Sequence, residues 1–488
     1  MMKILTKLNL NRSFKNWISN AVYAYFIFQF LSLLGRSWPG LQEIVFLLIV
    51  LAAIIFSWRK IEYGFLFLLF EFLAGHEGHC FSFRGISLRL SLFLVIMFVW
   101  FLRKMTLPKS FLGKLKSLIS LEKSPLSFSL LAFLFVIIFS LLRGWFINGK
   151  FLAIKDFLNY SYFFLIFPLS EIIGKRFFQK RSQQILQAGI IGISLLTIIV
   201  LVLFATGIVN VHDQFYWWWR QTVFGKATSA GNNFFRIVSS AHLLILPFFL
   251  ILLSLAAHRF TRKKSVVFLA VLASLTLLIN FSRAYFLGLF FGLIFLAQGL
   301  KSKKWMAFFL IVVIFLVAEF GILNFLINQS PNMLYLRQRI KSIASPEDEL
   351  SASVRLNILP CLLEKIKKRP IFGYGLGSTI SYLNPISQKQ DITFHIDWGY
   401  LEIWLELGLL GLILYCFILA IIFYQGRQLF KKARGNVKQQ RLIVGLGAGL
   451  LSLVVATITG PYLFHALGIF YLISVIVVFN YKNLASSR

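Results

Sequence analysis

Charged residues are scarce in this 488-residue sequence, and acidic residues are the scarcest of them. Only 14% of the residues are charged, and 17 aspartates and glutamates stand against 50 lysines and arginines. A soluble domain usually has about a quarter of its residues charged and less than half of them apolar, whereas 58% of this chain is hydrophobic. The shortage of charge excludes an ordinary soluble protein.

Long apolar runs occupy most of the chain instead. Many approach the roughly 20 residues that cross a bilayer as a helix, and they are continuous rather than alternating, which excludes a transmembrane β-barrel. We therefore predict an all-α, polytopic integral membrane helical bundle with about 14 transmembrane helices. The predicted spans are 18–35, 41–57, 61–75, 87–102, 125–142, 153–172, 184–206, 239–258, 265–281, 284–300, 305–327, 398–424, 442–460 and 464–480.

Lysine and arginine recur in every second loop between these spans, from Arg59 and Lys60 to the segment 427–441. Because short cytoplasmic loops collect these residues, the alternation predicts that both termini are cytoplasmic. It also accounts for the net charge of +33 without nucleic acid as a partner. One long loop, at about 328–397, is predicted on the outer side. Its stretch "SVRLNILPCLLEKIKKRP" has helical periodicity and a basic polar face, which predicts an amphipathic helix along the membrane surface.

Cysteine is also rare. Cys416 lies within an apolar span and no CxxC pair occurs, while a disulfide between Cys80 and Cys361 stays open. The stretch "HEGHC", 76–80, supplies two histidines and a cysteine but lacks the HExxH spacing, so a zinc site is an alternative that the pattern does not favour. The run "WWWR", 217–220, is typical of an aromatic anchor at a membrane interface, with sugar stacking as the alternative.

Two arginines are placed where a membrane protein has few reasons to keep one. Arg283, in "INFSRAYFLGL", is the only charged residue between Lys264 and Lys301. It could reach the interface by snorkelling, but the residues after it are apolar at once, so the chain is predicted to turn sharply there and to face the arginine toward other helices. Arg236, in "GNNFFRIVSSAH", lies at the outer entrance to the eighth span. Guanidinium groups bind phosphate bidentately and keep their charge, so the pair suits an anionic lipid head group.

The long loop adds a third arginine and a glycine-rich stretch. Arg355 begins the amphipathic helix, and "RPIFGYGLGS", 369–378, follows it. Gly373, Gly375 and Gly377 would let the backbone approach a ligand closely, with a flexible turn as the alternative. They do not form the GxGxxG of dinucleotide-binding folds, because no βαβ unit surrounds them.

The stretch "FHIDWGYLEIWLELGLLGL", 394–412, closes the loop and enters a span. His395 and Asp397 stand just before the membrane, and both residue types can take up a proton from a hydroxyl group. Glu402 and Glu406 lie one helical turn apart at the head of the span. Because carboxylates are costly in lipid, both are predicted to face the bundle, with an arginine as a candidate partner.

Three of these stretches resemble, in the same order, the motifs of the O-antigen ligase/polymerase family. "NFSRAYFLGL" has the S-R pair that opens a span, "VRLNILPCLLEKIKKRPIFGYGLGS" has an arginine followed by P-x-x-G-x-G-x-G, and "HIDWGYLEIWLELGLLGLI" has H or D before Y-L-x-x-x-x-E-x-G-x-x-G. The resemblance covers roughly 235–425. It divides the chain into N-terminal spans 1–234, a core 235–425 that includes the long loop, and a C-terminal part 426–488.

The resemblance implies a C-type glycosyltransferase in the bacterial inner membrane that takes a glycan from undecaprenyl pyrophosphate at the periplasmic face. It implies no cofactor, and the first outer loop, about 36–40, has no acidic residue for a metal, so we expect metal-independent transfer with inversion. The partners implied are the lipid-linked glycan, the bilayer and a chain-length regulator. Arg236, Arg283 and Arg355 would contact the pyrophosphate or the glycan.

The base implied by the resemblance is His395 or Asp397, since the place of the family's histidine falls on Asp397. Supporting roles are implied for further residues: Ser282, Gly373, Gly375, Tyr400, Glu402 and Glu406. The aspartate at that place and the number of spans favour a polymerase that extends lipid-linked chains. A ligase that passes finished chains to lipid A-core and a lipid-linked oligosaccharide flippase are the alternatives.

Overall fold

The computed structural model describes residues 12–105, 125–229, 234–257, 264–299, 305–328, 350–384, 389–394 and 396–481. These residues are mostly helical. The helices are α1 Arg12–Ser37, α2 Pro39–Arg59, α3 Ile61–Ala74, α4 Leu88–Met105, α5 Pro125–Ile147, α6 Lys150–Ser161, α7 Ile166–Ile172, α8 Arg176–Ala205, α9 Gln214–Gln221, α10 His242–Ala256, α11 Lys264–Asn280, α12 Arg283–Gly299, α13 Trp305–Asn328, α14 Leu350–Lys368, α15 Gly399–Lys432, α16 Val437–Ala456 and α17 Ala466–Asn480.

Length and composition identify this chain as a helical membrane protein. Among the described residues, six helical segments are long and apolar enough to cross a bilayer: Trp17–Ser37, Pro39–Arg59, Pro125–Ile147, Arg176–Ala205, Gly399–Lys432 and Val437–Thr459. Shorter apolar helices accompany them in α10, α11, α12, α17 and part of α13. The predicted helical membrane class is confirmed. Every predicted span overlaps a helix, while the count of about 14 crossings stays a prediction.

The predicted span 153–172 is not one helix. α6 ends at Ser161, the 3₁₀ segment Tyr162–Leu165 follows, and α7 completes the stretch. Pro168 lies in the first turn of α7, and its missing N–H and its ring disfavour a regular helix through the four residues before it. A tighter 3₁₀ turn accommodates the proline, so a segment that the sequence predicts as one span is irregular in structure.

Glycines let the central helices approach one another closely. A Cβ added at Gly288 or Gly292 of α12 would meet the backbone of α16; at Gly292 the Ala448 carbonyl oxygen would lie at 3.2 Å. The four-residue spacing of these glycines is the small-residue pattern of packed membrane helices. α12 and α10 both pack against α16, and these helices form the centre of the second half of the chain.

A buried ion pair joins the first helices. The Arg89 guanidinium of α4 binds the Glu71 carboxylate of α3 at 2.8 Å, and both side chains are at least 95% buried. Arg89 also donates to the carbonyl oxygen of His76, which fixes the loop that contains "HEGHC". In that loop the Cys80 thiol faces the carbonyl groups of Ala74 and Gly75, so the residues of the motif do not assemble as zinc ligands. All three cysteines are free.

The described residues form three short antiparallel hairpins in connections between helices, and we call the end of the bundle that carries the second of them the hairpin end. They are formed by β1 Ser82–Phe83 with β2 Ile86–Ser87, β3 Lys226–Ser229 with β4 Phe235–Val238, and β5 Ile380–Leu383 with β6 Gln390–Thr393. The middle hairpin pairs β3, which precedes residue 234, with β4, which follows it. The hairpin therefore spans the predicted boundary between the N-terminal spans and the core.

The helix α9 carries the "WWWR" run toward the middle hairpin. Trp218 and Trp219 are each 1% exposed, and the Trp218 indole donates to the Ser32 hydroxyl at 3.1 Å. Only Trp217 is exposed. The expectation of an interfacial aromatic anchor is therefore wrong for two of the three tryptophans, because Trp218 packs against α1 and Trp219 lies beside the buried His76.

The helix α15 is broken at Gly408, whose φ of 73° and ψ of −179° are not helical. The segment Arg369–Ser378, here called the glycine turn, inserts into this break. Backbone hydrogen bonds join the two on both sides: Tyr374 N to Leu405 O at 2.7 Å, Gly375 N to Glu406 O at 3.0 Å and Leu409 N to Pro370 O at 2.9 Å. The inserted turn thus satisfies carbonyl groups that the break leaves without helical partners.

The glycine turn also binds α5 and α6. The Asn148 amide donates to the carbonyl groups of Tyr374, Gly375 and Leu376 at 3.0–3.1 Å. Gly373, Gly375 and Gly377 all have positive φ, and a Cβ at each would meet protein backbone. The close approach that the sequence predicts is made here to the protein's own backbone.

Substituting alanine at Gly408 should destabilise the fold, because a Cβ there would overlap the Ile371 carbonyl oxygen in a backbone region that is essentially closed to other residues. We expect the free energy of unfolding to fall by at least about 2 kcal/mol. Thermal unfolding of the detergent-solubilised protein measures the loss. The control is Gly435→Ala, which has a φ of +90° but no neighbour within 4 Å. An equal loss in the two variants would contradict a role for the inserted turn.

Candidate functional site at the hairpin end

Tyr462, in the connection between α16 and α17, is the residue at which several predicted site residues meet. Its hydroxyl group lies beside Ser282 and within electrostatic range of Arg355, Asp397 and Arg236. Burial raises the pKa of the phenol, and the Arg355 charge is the largest influence that opposes this rise. The Tyr462 hydroxyl therefore stays neutral and can both donate and accept a hydrogen bond.

Arg236 is positioned by the middle hairpin and by the end of α11. It lies on β4 opposite Thr228 of β3, and its Nε donates to the carbonyl oxygen of Asn280 at 2.8 Å. The Asn280 side chain is itself fixed, since its amide contacts Nδ1 of His242 at 2.7 Å. The His242 Nε2 in turn contacts the Thr197 hydroxyl at 2.9 Å. A buried polar network thus holds the arginine in place.

A break between two helices lies at the place where the sequence predicts a sharp turn around Arg283. α11 ends at Asn280 and α12 begins at Arg283, so two non-helical residues separate the helices. Phe281 has a φ of 46°, and Ser282 is 9% exposed and faces Tyr462. Arg283 is the first residue of α12 and is half-buried. The turn thus brings Ser282 to the site and places Arg283 beside it in the chain.

Arg355 and Asp397 form an ion pair, with the Arg355 Nε 2.9 Å from the Asp397 Oδ2. The two side chains are 31% and 51% exposed, so both remain open to a ligand. The Trp398 indole donates to the Arg355 carbonyl oxygen at 3.3 Å, which ties α14 to the start of α15. Tyr400 follows in α15 and donates to the Val454 carbonyl oxygen at 2.8 Å. His395, the other candidate base, lies outside the described residues.

Two more cations belong to the same place, and neither was predicted to bind a ligand. Lys226 lies on the same face of the middle hairpin as Arg236, because its neighbour Thr228 pairs with Arg236 and side chains two residues apart share a face. Burial lowers the pKa of the Lys226 ammonium group, and the charges of Arg220, Arg236 and Arg355 lower it further while Asp397 raises it.

We call Arg220, Lys226, Arg236 and Arg355 the cation cluster. They come from α9, β3, β4 and α14, which are separated in sequence by up to 135 residues. Arg220 is the last residue of the "WWWR" run. Because that run was interpreted as an aromatic anchor, no ligand-binding role was predicted for the arginine. Tyr462 was missed because nothing in "GPYLF" distinguishes it from an ordinary interfacial tyrosine. The alternation of basic loops places the segments with Arg220 and Tyr462 on the outer side, but it does not predict that the two segments lie close together.

Glu402 and Glu406 face the bundle, as predicted from the cost of placing a carboxylate in lipid. Their neighbour, however, is the acidic residue Asp156. Oxygen atoms of Asp156, Glu402 and Glu406 lie within 4.8 Å of one another. Among the described ion pairs, none involves these carboxyl groups. The proposed arginine partner is therefore replaced by the Asp156 side chain of α6. Glu402 also lies within electrostatic range of Asp397, so this group adjoins the cation cluster.

Comparison with known proteins supports the resemblance read from the motifs. Residues 268–416 match the family model described as O-antigen ligase. This match contains Arg283, Arg355, the glycine turn and the start of α15, and it confirms the resemblance to the O-antigen ligase/polymerase family. No curated protein matches the chain. Arg236, Lys226 and Tyr462 lie outside the matched segment.

Breaking the Arg355–Asp397 pair should leave the fold intact, since exposed ion pairs contribute little. We expect Arg355→Ala to lower the free energy of unfolding by about 0.2–1 kcal/mol. By contrast, Arg89→Ala leaves the buried Glu71 carboxylate unpaired and should cost about 3–5 kcal/mol. Thermal unfolding of both variants tests the difference. Comparable destabilisation by the two substitutions would show that Arg355 is a structural residue.

Proposed function

We propose that this chain is a glycan polymerase at the periplasmic face of a bacterial inner membrane. It transfers an oligosaccharide from undecaprenyl pyrophosphate onto another lipid-linked repeat unit, with inversion and without a metal in the transfer step. The observation that supports this most is the convergence of arginines from separate elements around Tyr462 and Asp397. The match of 268–416 to the O-antigen ligase model supports the reaction class.

The cation cluster suits a reaction in which a pyrophosphate leaves. Negative charge grows on the leaving group as the bond to the anomeric carbon breaks, and preorganised cations stabilise that charge. Arg236 is fixed by its hydrogen bond to Asn280, so little reorganisation is needed when charge develops. Arg355 and Lys226 are exposed enough to reach a bound lipid head group, and Arg283 stands beside Ser282 at the head of α12.

The acceptor hydroxyl must lose its proton as it attacks. The Asp397 carboxylate, held at 2.9 Å by Arg355, is one candidate base, and His395 is the other. The fixed neutral hydroxyl of Tyr462 would orient the acceptor or the glycan by hydrogen bonding. The inverting outcome follows from a single displacement, in which the acceptor oxygen attacks opposite to the departing pyrophosphate. Separate replacement of His395 and Asp397 in the assay below identifies the base.

A ligase is the second candidate, because the matched family model carries that description. The two activities share the donor and differ in the acceptor. A polymerase joins lipid-linked repeat units and forms a ladder of products, whereas a ligase moves a finished chain to lipid A-core. A flippase would move the lipid-linked unit without forming a new glycosidic bond.

Removing the Arg236 guanidinium should slow transfer sharply, because one charge-stabilising contact to the leaving group is lost. With purified lipid-linked repeat unit in vitro, we expect wild-type protein to make a ladder and Arg236→Ala to have a kcat lower by about 10²–10³-fold. The matched control is Arg84→Ala, an exposed arginine of the first hairpin connection, which should keep wild-type rates.

Equal rates in Arg236→Ala and wild type, at equal thermal stability, would refute the proposed role of the cation cluster. Transfer only to lipid A-core would establish the ligase, and the absence of any new glycosidic product with either acceptor would contradict both transferase activities.

The lowered pKa of Lys226 predicts how activity depends on pH. The charge of Lys226 is present below this pKa and is lost as pH rises through it, so kcat/KM should decline at a lower pH than an ordinary lysine would allow. Lys226→Arg keeps its charge at high pH and should shift the decline to higher pH. The control Lys367→Arg, on the exposed side of α14, should not. An unshifted profile in Lys226→Arg would exclude Lys226 from substrate binding.

A further inference from the structure

Asp156, Glu402 and Glu406 form a compact group of oxygen atoms that the transfer reaction does not use. Atoms from the three carboxyl groups lie within 4.8 Å of one another. Asp156 belongs to α6, whereas Glu402 and Glu406 belong to the first turns of α15. We call these three residues the acidic triad. Like charges at this separation repel strongly where water is excluded, so something must compensate them.

The protein itself supplies only part of that compensation. The backbone N–H of Gly377 donates to Asp156 Oδ2 at 3.0 Å and to Glu406 Oε1 at 3.2 Å. Among the described residues, no lysine, arginine or histidine forms an ion pair with the three side chains. A buried carboxylate without a paired cation is costly, so the remaining charge calls for a ligand.

A second observation points to that ligand. The Glu406 side chain belongs to a residue that is 2% exposed, and its Oε2 is buried without any hydrogen-bond partner. The Oε2 of Glu402 is likewise buried and has no partner. Oxygen atoms of both glutamates lie close to those of Asp156, within the same compact set. Orphaned carboxylate oxygens of this kind are the ligands that hard divalent cations prefer.

We propose that the acidic triad binds a hard divalent cation, Mg²⁺ or Ca²⁺, which holds α6, α15 and the glycine turn together. Asp156 and Glu402 are half-buried rather than fully buried, so an ion can enter and keep water molecules that complete its coordination. Thiolate and imidazole ligands are not part of the group, which disfavours zinc.

The position of the ion gives it a structural role. Gly377 bridges two of the three acids through its N–H, and the adjacent residues of the glycine turn fill the break in α15. An ion bound there would hold the long loop against the head of α15, where Asp397 begins the site. It would not touch the reacting atoms, so this inference does not depend on the proposed transfer reaction.

Thermal unfolding of the full chain in detergent tests the proposal without any substrate. After treatment with a chelator, MgCl₂ or CaCl₂ is added and compared with KCl of equal ionic strength. We expect a saturable rise in Tm of about 4 °C with one or both divalent salts, as for a ligand that binds the folded state alone. Asp156→Asn and Glu402→Gln should lose the rise, and the exposed Glu364→Gln should keep it.

Luminescence of Tb³⁺, excited through nearby tyrosine and tryptophan, provides a second readout if a variant folds poorly. In wild type, Ca²⁺ or Mg²⁺ should displace the Tb³⁺ signal. Retention of the Tm rise in Asp156→Asn would place the ion elsewhere and overturn the proposal. A Tm that responds to pH but not to divalent salts would show that shared protons, and not an ion, compensate the negative charge of the acidic triad. Because no glycan is present, either failure is separate from a failure of the proposed transferase activity.

Discussion

The insertion of the glycine turn into the broken helix α15 is the interaction on which the site depends. Backbone polar groups in an apolar surrounding need partners within the protein, and the break at Gly408 removes the helical ones. The turn supplies them with its own amides and carbonyls. Because α14 precedes the turn and Asp397 immediately precedes α15, the same contact sets where Arg355 and Asp397 can meet. A helix without the break would not offer the long loop these backbone hydrogen bonds.

The cation cluster illustrates a second constraint, which concerns charge near a membrane. Arginine and lysine at membrane depth are costly unless they are paired or reach water. Here Arg220, Lys226 and Arg236 are carried by the short helix α9 and the middle hairpin, and Arg355 lies near the start of α14, so none of the four lies in the middle of an apolar span. The buried network of Asn280, His242 and Thr197 then holds Arg236 from below. The arrangement combines fixed orientation with access to water.

The sequence predicted the helices well, because apolar runs of bilayer length have few other solutions. The order of motifs also singled out Arg283, Arg355 and the glycine turn, all of which lie within the segment that matches the O-antigen ligase model. The break between α6 and α7 was missed although Pro168 could have indicated it. Lys226 and Tyr462 were beyond reach for a different reason. Their proximity to Arg355 depends on how four elements from distant parts of the chain pack, and periodicity carries no information about such contacts.

The late position of Tyr462 in the chain has a consequence for biosynthesis. Membrane proteins are inserted as they are translated, so residues near the amino end are placed first. The hairpin with Arg236 and the loop with Asp397 precede the segment that brings the phenol between them. A nascent protein still lacking its last two helices would hold the cationic residues but not the group they surround. Premature termination before Tyr462 would therefore leave these cationic residues without the buried phenol that lies among them.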